Sequence, residues 1–246
     1  MRKAFIHFLW SVLILSICGS ALAFTAIWNG WIGYMPPIED LQNPINRFAT
    51  QVYSSDGKVL GTYNLNKENR IVIPYSKISK HLIDALVATE DERFYEHSGV
   101  DFIALGRAIV KRGILGQASA GGGSTITQQL AKQLYSEQVH NSLERILQKP
   151  IEWVIAVKLE RYYSKDEILT LYLNYFDFLH HAVGIKTAAK VYFNKDPKNL
   201  NVTEAAMLVG MCKNPSYFNP IREPMRVKER RNVVLALMRD AGYLSA

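Results

Sequence analysis

The chain has 246 residues, with 29 lysines and arginines against 22 aspartates and glutamates, so its formal charge is +7. That length supports one or two domains and a sizeable core, while two cysteines exclude a disulfide framework and a Cys/His metal spacing. The basic balance suits an anionic membrane surface or a phosphorylated ligand; nucleic acid is the other usual partner of a basic protein, and export argues against it.

Arg2 and Lys3 precede a run from Ala4 to Ile27 that carries no charge and only His7 as an ionisable group. Crossing a bilayer core takes about 20 residues, so this run predicts a transmembrane anchor. Trp28, Trp31 and Tyr34 follow as an interfacial aromatic belt would, and the amino-terminal positive charge predicts a cytoplasmic start and an exported body. A cleavable signal peptide is the alternative, because Ala21-Leu22-Ala23 resembles a cleavage site; the apolar run continues past it.

Pro36, Pro37 and Pro44 mark a polar linker. The spacing then predicts strands over Ala49–Tyr53 and Val59–Tyr63 around a turn at Ser55–Lys58, with Arg70–Ile73 as a candidate third strand. From Ser76 the pattern is helical. Leu82, Ile83, Leu86 and Val87 form an apolar stripe that Glu90 extends, which places a partly desolvated carboxylate at its end, suited to general acid or base work. A structural ion pair with Arg93 or His97 is the plainer alternative. Ile103–Gly116 mixes apolar residues with Arg107, Lys111 and Arg112, as an interfacial helix or a core helix with a basic outer face does.

The run Gly121 to Lys132 joins a triple glycine to a Ser/Thr cap and a helix. Thr125, Gln128, Gln129 and Lys132 share one polar face, opposite Ile126, Leu130 and Leu134. Open N–H groups at the helix start beside amides and an ammonium suit an anionic, hydroxyl-rich ligand such as a sugar phosphate; a solvated helix face is the alternative. A helix over Leu143–Arg161 carries Lys149 three residues before Glu152, with Pro150 expected to kink it or to start a new helix. Ser164-x-x-Glu167 and Asn201-x-x-Glu204 read as capping boxes, and a last helix from Pro224 stops before Gly242. The adjacent His180 and His181 do not make a zinc site, since neighbours point to different faces.

Glu90-Asp-Glu-Arg-Phe-Tyr-Glu-His-Ser-Gly-Val-Asp101, Gly-Ser-Thr-Ile-Thr-Gln-Gln-Leu-Ala-Lys132, Lys149-x-x-Glu152 and Tyr163-Ser-Lys-Asp-Glu-Ile-Leu-x-x-Tyr-Leu-Asn174 occur in that order. Together with Ala188-Ala-x-x-Tyr-Phe-x-Lys195, Glu204-Ala-Ala-Met-Leu and Asn214-Pro-x-x-Phe-Asn-Pro220, they resemble the peptidoglycan glycosyltransferase domain of class A penicillin-binding proteins and their monofunctional relatives. The resemblance implies a mainly α, lysozyme-like domain with a small β element at its start and an N-terminal transmembrane helix. It divides the chain into an anchor (1–35), a linker with the β element (36–75) and a glycosyltransferase domain (76–246). It implies inverting polymerisation of lipid II in a bacterial inner membrane, with the catalytic part outside the cytoplasm.

In that reading Glu90 and Glu152 are catalytic, and Asp91, Phe94, His97, Ser124, Thr125, Gln128, Gln129, Lys132 and Lys149 bind substrate. A divalent metal (Mg or Mn) held with the substrate pyrophosphate, with Glu152 as its candidate ligand, is the implied cofactor. The implied partners are lipid II, the growing lipid-linked glycan, membrane lipids and cell-wall synthesis proteins. Three departures stand out: Gln148 replaces the family arginine, Gln133 stands where asparagine is usual, and after Asn174, where the family commonly shows a Phe-Gly-x-Gly pattern, this chain has Tyr-Phe-Asp-Phe-Leu-His-His-Ala-Val-Gly184. No penicillin-type Ser-x-x-Lys, Ser-x-Asn and Lys-Thr-Gly set is present, since Ser55-x-x-Lys58 falls in a turn, and the end at Ala246 suggests the front part of a longer chain. A lysozyme-like hydrolase and a non-catalytic cell-wall scaffold are the competing functions.

Overall fold

The computed structural model describes residues 2–42, 50–56, 59–63, 71–110, 123–135 and 142–245. The expectations that rest on Ala49, Gly57–Lys58, Arg70, Lys111–Gly116 and Gly121–Gly122 lie outside the described residues.

Helix α1 (Arg2–Trp28) covers the whole apolar run. At about 1.5 Å per residue it exceeds the roughly 30 Å hydrocarbon core of a bilayer. Among the described residues it is the one helix long and apolar enough to cross a membrane, with mean hydropathy 2.0 over an 18-residue stretch of which nothing is buried. A short α2 (Ile38–Gln42) follows, with Leu41 fully buried. Strands β1 (Thr50–Tyr53) and β2 (Val59–Tyr63) pair antiparallel.

The expected third strand does not form: residues 71–73 carry no strand pairing. The Asn174 side chain takes the place of a neighbouring strand. Its Nδ2 donates to Ile73 O at 2.9 Å and its Oδ1 accepts from Ile73 N at 3.2 Å. One buried amide thereby satisfies both backbone groups that a ladder would otherwise have to pair.

The body is helical: α3 (Lys80–Glu90), α4 (Phe102–Ile109), α5 (Ile126–Tyr135), α6 (Ser142–Tyr162), α7 (Lys165–Tyr175), α8 (Ile185–Phe193), α9 (Val202–Cys212) and α10 (Pro224–Asp240). Helix α3 is buried from Leu82 to Ala88 between α9 and α10. Helix α5 packs on α6 and α7. Both expected capping boxes are present, Ser164 with Glu167 on α7 and Asn201 with Glu204 on α9. The Ser164 backbone N–H, and then its hydroxyl, hold the Glu167 carboxyl below its ordinary value. Pro150 lies within α6, which is assigned as one helix on both sides of it.

The foot of α1 docks on α6. Phe24 stacks on Trp153, with ring centroids 6.3 Å apart. Trp28 faces Lys158 at 4.8 Å and Arg161 at 4.7 Å, and Lys158 Nζ donates to Trp28 O at 2.9 Å. Burial, and next the Arg161 charge, lower the Lys158 ammonium pKa. Trp31 and Tyr34 stay exposed as an interfacial belt requires, whereas Trp28 belongs to this cation-π contact.

Between α7 and α8, Leu179, His180 and His181 hold φ values of 64°, 51° and 60°. These are left-handed values that glycine adopts without penalty and L-residues adopt at a cost. A Phe178–Ala182 backbone bond and the Asp177–Val183 bridge hold the loop in this shape. The loop therefore has a glycine-type backbone, although its residues are not glycines.

Candidate active site

A cleft of about 200 Å³ opens between the C-terminal end of α3, α4 and the segment leading into α5. Glu90, Asp91, Ser124 and Thr125 line it, together with Arg93 and Arg107. Folding α3 into the core explains why Glu90 is here: the buried stripe ends at Ala88, and the chain emerges half-buried at Thr89 and Glu90. Gln129 Nε2 donates to Glu90 Oε2 at 2.8 Å.

Asp91 turns the other way. Its carboxylate is buried, accepting from Ile126 N at 3.0 Å and bonding His97 Nε2 at 2.9 and 3.1 Å. Gly99 N donates to His97 Nδ1 at 3.2 Å, so the proton of a neutral imidazole sits on Nε2, facing Asp91. The start of α5 was expected to offer open N–H groups to an anionic ligand; in the structure Asp91 supplies that anion. The positive end of a helix draws the nearest carboxylate, and the turn after α3 brings one within bonding distance.

Thr125 and Gln128, expected on the ligand-facing side of α5, are each 2% exposed. Gln128 N donates to Thr125 Oγ1 at 3.1 Å, and Thr125 N donates to Gln128 Oε1 at 3.4 Å, which closes a capping box. Thr125 Oγ1 and Gln128 Nε2 both donate to Gly99 O, at 2.7 and 3.4 Å. Phe94 is fully buried, with the Lys165 ammonium 4.2 Å from its ring centre. In this structure Asp91, Phe94, His97, Thr125 and Gln128 therefore bind one another and the scaffold.

Gly99 is the pivot of that scaffold. It has φ +96°, and a Cβ there would lie 2.8 Å from the α6 backbone at Ala156 and Val157. Gly99→Ala is expected to destabilise the domain by about 2–3 kcal/mol, because backbone cannot yield as a side chain can. A thermal melt unchanged from wild type would show that α6 is not tightly seated here.

A second corner forms where α6 passes Ser124. Lys149 Nζ donates to Glu152 Oε2 at 2.7 Å and lies 3.4 Å from Ser124 Oγ. The Glu152 side chain is 3% exposed and that of Lys149 is 53% exposed, so the buried carboxylate holds an accessible ammonium at the edge of the cleft. Lys132 is exposed one turn along α5, and Gln148 is half-buried beside Lys149. This arrangement does not fit a protein-held metal: Glu152 is already paired with an ammonium, and among the described residues no group of three His, Cys, Asp or Glu is placed to hold one.

Sequence reasoning left three groups unassigned. Arg107 lines the cleft from α4, and its signal was the basic-apolar mixture of that segment. Glu160 accepts from Thr127 Oγ1 at 2.6 Å and from Lys165 at 2.7 Å, locking α5 to α6. Tyr172, present in the sequence only as part of the Tyr163–Asn174 motif, donates to Gln129 Oε1 at 3.0 Å from within the core of α7.

Fold and cleft define a helical domain that carries a half-buried carboxylate beside a cation-lined groove and follows a candidate membrane helix. A family model described as Transglycosylase matches residues 56–239, and the chain belongs to that family. It is 45% identical over 183 residues to penicillin-binding protein 1F of Bacillus subtilis, covering 74% of this chain and 25% of that protein. It is 39% identical over 238 residues to penicillin-binding protein 1A of Escherichia coli, covering 95% of this chain and 27% of that protein. A crystal structure of penicillin-binding protein 1A from Haemophilus influenzae aligns with TM-score 0.42 and 26% identity over 81% of this chain and 19% of that one. The chain spans about a quarter of the length of the curated relatives it matches.

Proposed function

We propose that this chain is a membrane-anchored peptidoglycan glycosyltransferase that polymerises lipid II by inverting transfer. The observation that carries the reading is one cleft lined by both Glu90 and Ser124, with Ser124 joined to the Lys149–Glu152 pair. The acceptor 4-hydroxyl gives its proton to Glu90 as its oxygen attacks the anomeric carbon. The bond to the lipid pyrophosphate breaks, and the electron pair leaves on the phosphate oxygen. Charge grows there, so Lys149, Lys132 and Arg107, with the Ser124 hydroxyl, stabilise the transition state more than the ground state.

Glu152 holds the Lys149 ammonium in place. A divalent ion arriving with the substrate would be held by the pyrophosphate itself, since Glu152 is already paired with Lys149. The anchor α1 keeps the cleft at the bilayer surface, where a lipid-linked substrate resides. We place the amino terminus in the cytoplasm, the catalytic body outside the inner membrane, and cell-wall synthesis proteins among the partners.

Incubation of the full chain with lipid II in vesicles tests the reading. Long glycan strands with released lipid pyrophosphate are expected. Shortening of preformed glycan without any polymer would replace the transferase by a hydrolase, and absence of both activities would favour a scaffold.

A further inference from the structure

Helix spacing places Gln129 on a face with Lys132, as though both met the ligand. The structure engages both ends of its amide inside the protein. Nε2 donates to Glu90 Oε2 at 2.8 Å, and Oε1 accepts from the Tyr172 hydroxyl at 3.0 Å. Tyr172 is fully buried on α7, stacked on Phe176 with ring centroids 5.8 Å apart.

The direction of this chain of bonds is determined. Burial, and then the nearby Cys212 and Glu90, push the Tyr172 phenol well above its ordinary pKa, so it remains a proton donor. Glu90, as the carboxylate a base must be, only accepts, so the amide nitrogen faces it and the amide oxygen faces the phenol that donates. The flipped amide would set its oxygen lone pairs against those of Glu90 and lose that bond.

Resting on the assignment of Glu90 as the base, we propose that Tyr172 and Gln129 are positioning residues for it. They hold Oε2 so that Oε1 is the oxygen that takes the acceptor proton. Tyr172 contacts neither substrate nor Glu90; it acts through the orientation of Gln129.

The test measures kcat and KM for lipid II of the full chain in wild type, Tyr172→Phe, Gln129→Met, the double variant and Glu90→Gln. Tyr172→Phe keeps ring and volume, so its melting temperature and KM are expected to stay near wild type. Its kcat is expected to fall about tenfold. In the Gln129→Met background the same change is expected to cost less than about twofold, because the route to Glu90 has already gone. An equal loss in both backgrounds, or an unmoved kcat in Tyr172→Phe, overturns the proposal. If Tyr172→Phe does not fold, Gln129→Met decides, and a kcat equal to wild type there overturns the proposal. Glu90→Gln separates the two claims: full activity there removes the base assignment itself, whereas an inactive Glu90→Gln beside an unaltered Tyr172→Phe removes only the relay.

Discussion

Glu90→Gln is expected to slow lipid II polymerisation by about 10²- to 10⁴-fold, the range that a positioned general base contributes. The substitution keeps the shape of the side chain and removes only its ability to take a proton. Glu90 is the half-buried last residue of α3, and Gln129 donates to it. A glutamine at position 90 can still accept that bond through its oxygen, so the melting temperature is expected to change little. Substrate KM is expected to hold, since the Lys149 ammonium beside Ser124 is untouched. A variant that polymerises within a few-fold of wild type would remove Glu90 as the base.

Asp91→Ala is expected to act one residue away by a different route, costing about 3–5 kcal/mol of stability. The carboxylate is buried and joins two segments, bonding Ile126 N at the start of α5 and His97 Nε2. Alanine leaves a buried N–H and a buried imidazole without partners and removes the negative charge from the positive end of the helix. The melting temperature is expected to fall by about 10 °C. Asp91→Asn is expected to lie between the two, because its oxygen still accepts from Ile126 N while its NH₂ meets a ring nitrogen that already carries a proton. Equilibrium unfolding, with activity expressed per folded molecule, checks this. An Asp91→Ala protein that melts with wild type and loses only turnover would make Asp91 a substrate contact and not a scaffold residue.

The contrast between Glu90 and Asp91 shows how much of the site was legible. Periodicity was enough to put Glu90 at the end of a buried stripe, since each of Leu82, Ile83, Leu86 and Val87 adds independent evidence about one helix face. The same method placed Thr125, Gln128, Gln129 and Lys132 on a common face, and it could not say what that face meets. Thr125 and Gln128 turn inward to Gly99, Gln129 bridges to Glu90 and Tyr172, and Lys132 is exposed. A helix face is a local property. Its environment depends on contacts with segments tens of residues away.

The β element divides in the same way. Alternation and a turn signature were enough for β1 and β2, but nothing local to residues 71–73 announces that Asn174, about a hundred positions later, will satisfy Ile73 in place of a strand. The departure from the Phe-Gly-x-Gly pattern after Asn174 left the local backbone open. The neighbouring bonds impose left-handed dihedrals on residues that pay conformational energy for them.

From its residues alone the chain specifies an apolar helix long enough to cross a membrane, the helical body with its two capping boxes, and the presence of Glu90, Lys149 and Glu152 at spacings that suit transfer chemistry. Apolar periodicity, helix caps and charge are encoded within one or two turns, so they need no tertiary knowledge. Only the folded chain decides that Asp91 fills the N-terminus of α5, that Glu152 is buried under Lys149 beside Ser124, and that Tyr172 reaches Glu90 through Gln129. Apart from the Lys149–Glu152 pair, three residues apart on one helix, each of those rests on a hydrogen bond between segments remote in sequence, and no local pattern carries that information.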